Sequence, residues 1–161
     1  MRMPIVIAVC CLAGPAMAGE FVAIGHVTQQ TLRPYGAPQC PPTCPSATAD
    51  TQIVCVTNAC GCGEAEVVID QVLIGKRVPK VSVKYTLGEW CQPEFPISNP
   101  KVLIRLTGND RPEWGQVQGS NSKDSTFYTK RFERIGSVQV SSLKQKNGWA
   151  SLRELEAKLG L

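Results

Sequence analysis

Val81-Ser82-Val83-Lys84-Tyr85-Thr86-Leu87 alternates apolar and polar residues without a break, and Lys80 ahead of it keeps the period. Side chains on a strand point to opposite faces in turn, so this pattern buries one face and wets the other. Such a strand belongs in an antiparallel sheet packed on one side. Working outward, residues 64–74 form an apolar strand closed by Gly75, and residues 101–106 form another after the turn residues Ser98-Asn99-Pro100. Residues 21–27 supply a first strand and residues 51–56 a short apolar one. Residues 114–117, 126–133 and 137–143 add further strands, and residues 107–112 and 118–125 are too polar to be more than loops. The chain ends in Ser151-Leu152-Arg153-Glu154, a capping box that starts a helix with Leu152, Leu155 and Leu159 on one face and Gly160 at its stop.

The N-terminal residues have a different character. Met1-Arg2-Met3, an apolar run over residues 4–13 and Pro15-Ala16-Met17-Ala18 have the three parts of a secretory signal peptide, with small residues at 16 and 18 for cleavage. Residues 19–161 are expected to form one domain, cysteine-braced over 19–106 and basic over 107–161. A lipid anchor fits poorly, because Val9 and Cys10 precede the candidate cysteines Cys10 and Cys11. The apolar run is too short for a membrane-spanning helix, so no membrane insertion is expected. The mature chain is expected in the periplasm or outside the cell.

Cleavage leaves Cys40, Cys44, Cys55, Cys60, Cys62 and Cys91. In an oxidising compartment six thiols point to disulfides. Fifteen pairings are possible. The expectation is that Cys91 reaches back to residues 55–62, and that Cys40 and Cys44 tie the proline-rich residues 32–49 to the same segment. A zinc site from Cys40, Cys44, Cys60 and Cys62 is the competing reading, but neither pair has the usual two-residue gap. Cys60-Gly61-Cys62 lies between strands, without the helix start that activates a redox pair.

The stretch over residues 65–106 joins Val72-Leu73-Ile74-Gly75-Lys76, the alternating strand, Glu89-Trp90-Cys91 and Val102-Leu103-Ile104-Arg105-Leu106. Together with the first strand it resembles the netrin-like module of the tissue inhibitors of metalloproteinases, across residues 20–106. The resemblance implies a mostly β fold built on a five-stranded OB-type barrel, here with added C-terminal strands, a short C-terminal helix and disulfide staples. Those inhibitors chelate the protease zinc through an N-terminal cysteine, whereas the mature chain here begins Gly19-Glu20-Phe21. Inhibition by that mechanism is not expected.

Catalytic patterns are sparse. His26 is the single histidine and no Gly-x-Ser-x-Gly motif accompanies it, so it reads as a strand-surface residue. HExxH and paired-histidine metal signatures are excluded. Glu64 with Glu66, or Glu89 with Glu94, could make a carboxylate pair of the glycosidase type, but the chain has few aromatics to stack a sugar.

Charge is uneven. Residues 19–75 carry Arg33 against five acids, while residues 76–161 carry fifteen Lys or Arg against eight acids. Trp90 is expected to pack on a disulfide and Trp149 at the start of the helix. Trp114 is left as the candidate exposed anchor. With the loops over residues 107–125 and the basic face of Lys123, Lys130, Arg131 and Arg134 it makes the expected binding surface for a protein partner. No cofactor and no nucleic acid are expected, and the oligomeric state stays open. The leading expectation is a non-catalytic protein-binding or inhibitor-like accessory module. A small envelope hydrolase or thiol-redox enzyme using His26 or Cys60 and Cys62 is the alternative, and an envelope scaffold component a third reading.

Overall fold

The computed structural model describes residues 19–40, 60–87, 91, 95, 101–108, 112–119 and 124–161. The signal segment, Cys44, the expected strand 51–56 with Cys55, Glu89, Trp90, Glu94 and Lys123 lie outside them. The described chain is mostly β, with one short C-terminal helix. Its first four strands are β1 (Glu20–Arg33), β2 (Cys62–Ile74), β3 (Lys80–Thr86) and β4 (Lys101–Thr107), followed by β5 (Glu113–Gln118) and β6 (Thr126–Tyr128). Then come the hairpin β7 (Arg134–Ile135) and β8 (Val138–Gln139), a 3-10 turn at Val140–Ser142, β9 (Gln145–Lys146), β10 (Trp149–Ser151) and helix α1 (Leu152–Leu159). Eight of the strands make one antiparallel sheet in the order β3-β2-β1-β4-β5-β6-β10-β9.

The alternation over residues 80–87 is realised in β3: Val81, Val83, Tyr85 and Leu87 are buried while Lys80, Ser82 and Lys84 are exposed. β1 behaves differently. Residues 21–25 are buried without interruption, because the strand lies between two cores. Val22 and Ile24 join Leu103, Phe127, Ile135, Leu152 and Leu155 on one face. Phe21 and Ala23 join Val67, Val83, Tyr85, Phe95 and Ile104 on the other. A strand covered on both faces reads as a continuous apolar run rather than an alternating one. Its polar continuation, residues 29–33, pairs with β2. Irregularities in the β1–β2 ladder bend this pair. At one of them Gly25 is required, since a Cβ there would strike the Val68 carbonyl oxygen.

The sheet is open, which corrects the expected closed barrel. Strands in the order β3-β2-β1-β4-β5 close only if the ends, β3 and β5, pair with each other. Instead the far edge of β5 is taken by β6, through Val117 opposite Phe127 and Gln118 opposite Thr126. The Tyr128 carbonyl sits so close over Gly115 that no Cβ fits there. Between β3 and β5 the space is filled by side chains: Tyr85 packs on Phe95 with ring centres 5.4 Å apart, and Phe95 stacks on Trp114 at 5.2 Å. An aromatic bridge stands where ladder hydrogen bonds would have closed the barrel.

Two disulfides are present among the described residues, Cys40–Cys62 and Cys60–Cys91. Both agree with the expected tie of residues 55–62 to Cys91 and to the proline-rich loop. Both land on Cys60-Gly61-Cys62, where Gly61 adopts a φ of +88° and a Cβ would strike the Arg33 carbonyl oxygen. The start of β2 is thereby pinned to the end of β1 and to residue 91.

Three C-terminal expectations need correction. The strand expected over 137–143 splits into the β7–β8 hairpin and a 3-10 turn, and the strand expected over 126–133 ends at Tyr128. Residues 145–151 form a β9–β10 hairpin around Asn147-Gly148, whose φ values of 54° and 81° suit the tight turn these two residues favour. The helix starts as expected, with the Ser151 hydroxyl accepting from the Glu154 amide. The Glu154 carboxylate, however, accepts from the Lys144 amide at 3.2 Å, tying the helix to the preceding loop. Gly160 then stops the helix in a left-handed conformation.

Candidate binding face

On β5, β6 and β10 the core-facing residues are Val117, Phe127 and Ala150. By alternation Trp114, Gln116 and Gln118 on β5, Thr126 and Tyr128 on β6, and Trp149 and Ser151 on β10 project to the opposite side. Tyr128 lies directly across from Trp149, and Trp149 across from Lys146 on β9. The Tyr128 and Trp149 rings are 5.4 Å apart, tilted by 60°, and both are half-buried. Neither belongs to an apolar cluster. The face therefore continues the side of the sheet on which the second core lies, since Trp114 packs against that core, and beyond the core's edge it carries Tyr128 and Trp149 with the exposed Gln116, Gln118, Lys130, Arg131 and Lys146 nearby.

Trp114 stands at one side of this face. It is half-buried rather than exposed, which corrects its expected role as a free anchor. Its ring stacks on Phe95, and the Arg131 guanidinium lies over it, 4.5 Å from the ring centre. Its indole N–H is buried without an acceptor, at a cost of about 1–3 kcal/mol, so stacking rather than hydrogen bonding sets the ring's place. What Trp114 presents outward is Arg131, a planar cation held on an aromatic face.

Of the sequence-derived set, Trp114 and Arg131 are thus brought into contact. Lys130 joins them: its side chain runs beside Gly148, which also neighbours the Tyr128 ring. Arg134 does not join them. It lies on β7, where its charge acts on Glu20 in a separate clamp. There Arg105 donates to Glu20 and, at 2.7 Å, to Glu113, while the Gly136 amide donates to Glu20 at 3.0 Å. Burial alone would raise the Glu20 carboxyl, but these hydrogen bonds and the Arg105 and Arg134 charges outweigh it and hold it below its ordinary value. This clamp joins β1, β4, β5 and the β7–β8 hairpin. Its role is structural.

Tyr128 and Trp149 are the functional candidates that sequence reading missed or misplaced. Trp149 sits on β10 against Tyr128, not at the helix start. The signal for it was the Asn147-Gly148 pair, which marks a hairpin and hence a strand at 149.

The catalytic alternatives are placed as follows. His26 Nδ1 lies 2.8 Å from Asp70 Oδ2, with both side chains more than a third exposed. No serine, threonine or cysteine side chain among the described residues hydrogen-bonds to the imidazole. Glu64 and Glu66 do share a face, yet each is paired with a cation, Arg33 at 3.3 Å and Lys80 at 2.7 Å. The Glu64 carboxyl is held below its ordinary value first by the Ser82 hydroxyl and then by Arg33. Cys60 and Cys62 are not joined to each other; each closes a different bridge. Cys40 and Cys62 are bonded together and offer no thiolates to zinc. Among the described residues no helix is long and apolar enough to cross a membrane.

No family model, curated protein or solved structure matches this chain.

Proposed function

We propose that the protein is a secreted or periplasmic binding module that engages a protein partner, without catalysis, through the face of β5, β6, β10 and β9. The observation that carries this reading is the Tyr128–Trp149 pair on a sheet face outside both cores, beside an arginine pre-stacked on Trp114. Tyrosine, tryptophan and arginine are the residues that dominate binding energy at protein interfaces. Disulfides are in keeping with an oxidising compartment, and β1 begins at Glu20, two residues past the proposed cleavage at Ala18. The netrin-like resemblance belongs to β1–β4 in this reading, with the C-terminal limb as an addition that carries the binding face.

The test is affinity capture from an envelope extract with the oxidised protein, run beside a Tyr128→Ala/Trp149→Ala variant whose fold is verified by circular dichroism. A stoichiometric partner retained by the wild type and lost by the variant is expected. Equal retention by both, or no retained partner, defeats the reading. The His26–Asp70 pair favours a hydrolase as second reading, and His26→Ala abolishing an esterase or peptidase activity would establish it.

A further inference from the structure

We infer that the cleft between the two arms of the β2–β3 hairpin is a second binding site, which takes an extended, acidic peptide segment of a partner as an added strand on the open edge of β2. The site is separate from the face of β5, β6, β10 and β9 and does not rest on it.

The cleft originates in the sequence. β2 and β3 pair from Cys62 with Thr86 to Val68 with Lys80. One more bond, from the Ile69 amide to the Pro79 carbonyl oxygen at 2.9 Å, continues the same register. There the ladder stops. Pro79 has no N–H to return, and on the other arm an irregularity in the β1–β2 pairing skips Asp70. Gly75, at a φ of +101°, turns the chain back. Residues 70–74 and 75–78 therefore part, and a cleft of about 810 Å³ is lined by both arms, within the roughly 300–1,000 Å³ of ligand sites.

The first argument is the open edge. β1 holds one side of residues 69–74. Toward the returning arm, among the described residues, no backbone bond is made by residues 70–74. A strand with one neighbour turns the N–H and C=O of every second residue outward, and peptides add to such an edge as a further strand. Residues 70–74 present about 16 Å of edge at roughly 3.3 Å per residue, the length of an extended segment of about five residues.

The second argument is the lining. Ile69, Val72 and Val78 are half-buried against the second core, and Val68, which also lines the cleft, is exposed. Alternate apolar residues of an added strand would extend that core outward.

The third is charge. Arg77 lines the cleft and Lys76 precedes it in the chain; both are exposed, and among the described residues neither has an ion pair. Asp70 lines the cleft too, but its carboxylate is held by His26 at 2.8 Å and the two cations outnumber it. A carboxylate on the ligand complements the remaining positive charge.

The probe is a fluorescein-labelled hexapeptide of alternating valine and glutamate, read by anisotropy with the oxidised protein. One counterpart carries lysine for every glutamate, and another is methylated at every peptide nitrogen so that it donates nothing to an edge. Saturable binding of the unmethylated acidic peptide alone is expected, weakening as salt rises from about 50 to about 200 mM, with slowed hydrogen exchange in residues 70–74. Arg77→Gln and Lys76→Gln should each weaken it about threefold to tenfold, while Tyr128→Ala/Trp149→Ala should leave it unchanged. No binding, equal binding of either counterpart, full affinity in Arg77→Gln, or protection confined to residues outside 68–79 would each overturn the inference. So would a dimer in sedimentation that protects residues 70–74 without peptide, since a second copy would then own the edge. Loss of the peptide in Tyr128→Ala/Trp149→Ala would move it to the other face and defeat the cleft assignment. Each of these failures leaves the extract capture through Tyr128 and Trp149 as it stands.

Discussion

Strands β1–β4 and the limb of β5, β6, β10 and β9 belong to one sheet, yet they are held by different means. The first region carries both described disulfides. Its polar surface is occupied by its own partners, Arg33 with Glu64, Lys80 with Glu66 and His26 with Asp70. The second region has no cysteine. It is anchored through Val117, Phe127 and Ala150 to the core that Leu152 and Leu155 of α1 complete, and its other face displays aromatics and cations. The difference teaches how one sheet can be held in two ways: disulfides and surface ion pairs brace the first region, whereas the second is held through the core on one side of its strands.

Breaking the packing of the second region should have the largest effect. Phe127→Ala removes a fully buried ring and is expected to cost about 3–5 kcal/mol in urea unfolding. A loss below about 1 kcal/mol would mean that the limb is not held by this core. Next, replacing Cys60 and Cys91 together by serine should cost about 2–4 kcal/mol. Hydrogen exchange should then speed up in β2 and β3 while amides of β6, β10 and α1 stay protected; the reverse order would erase the contrast between the regions.

The Glu20–Arg105 clamp spans the boundary between them. Because the Glu20 carboxyl is lowered in the folded state, its contribution is fully present above the ordinary carboxylate range and disappears as pH falls through the lowered value. Glu20→Gln should remove about 1–3 kcal/mol at neutral pH and flatten the acid side of the stability curve. An acid limb identical to wild type would show that the clamp carries no linkage.

Ser151→Ala, which deletes the helix cap, should cost about 1 kcal/mol by thermal unfolding. Smallest of all, Arg131→Gln should change stability by no more than about 0.5–1 kcal/mol. A larger loss would make the Arg131–Trp114 stack a structural prop rather than a prepared binding group.

Much of this architecture is legible residue by residue. The alternation at 80–87, the apolar core of β2 over 64–74, the strand at 101–106 and the capped helix all match the sheet and helix observed. The cysteines at 60 and 62 lead to Cys91 and to the proline-rich loop. The second half of β1 was not legible, since Thr28-Gln29-Gln30-Thr31 has no apolar signal and the strand continues there along the ladder that β2 offers it. The hairpin at 145–151 was missed although Asn147-Gly148 marks its turn, because its strands are two and three residues long and carry no periodicity of their own. For the candidate face, Trp114 and Arg131 stand out by composition. Their contact, and the exclusion of Arg134, depend on how β6 and the residues after it fold back across β5.

The sequence by itself determined what a few neighbouring residues can encode: strand period, helix caps, turn chemistry and the location of the cysteines. Only the tertiary structure decided that the sheet stays open, because closure turns on whether β5 meets β3 or β6, and that choice is made by the close approach of Tyr128 to Gly115 and by the Tyr85–Phe95–Trp114 stack. The same long-range contacts bring the half-buried Tyr128 and Trp149 together and place Arg131 over Trp114. Local patterns specify which side of a strand is apolar; which surface then covers it is settled by partners far away in the chain.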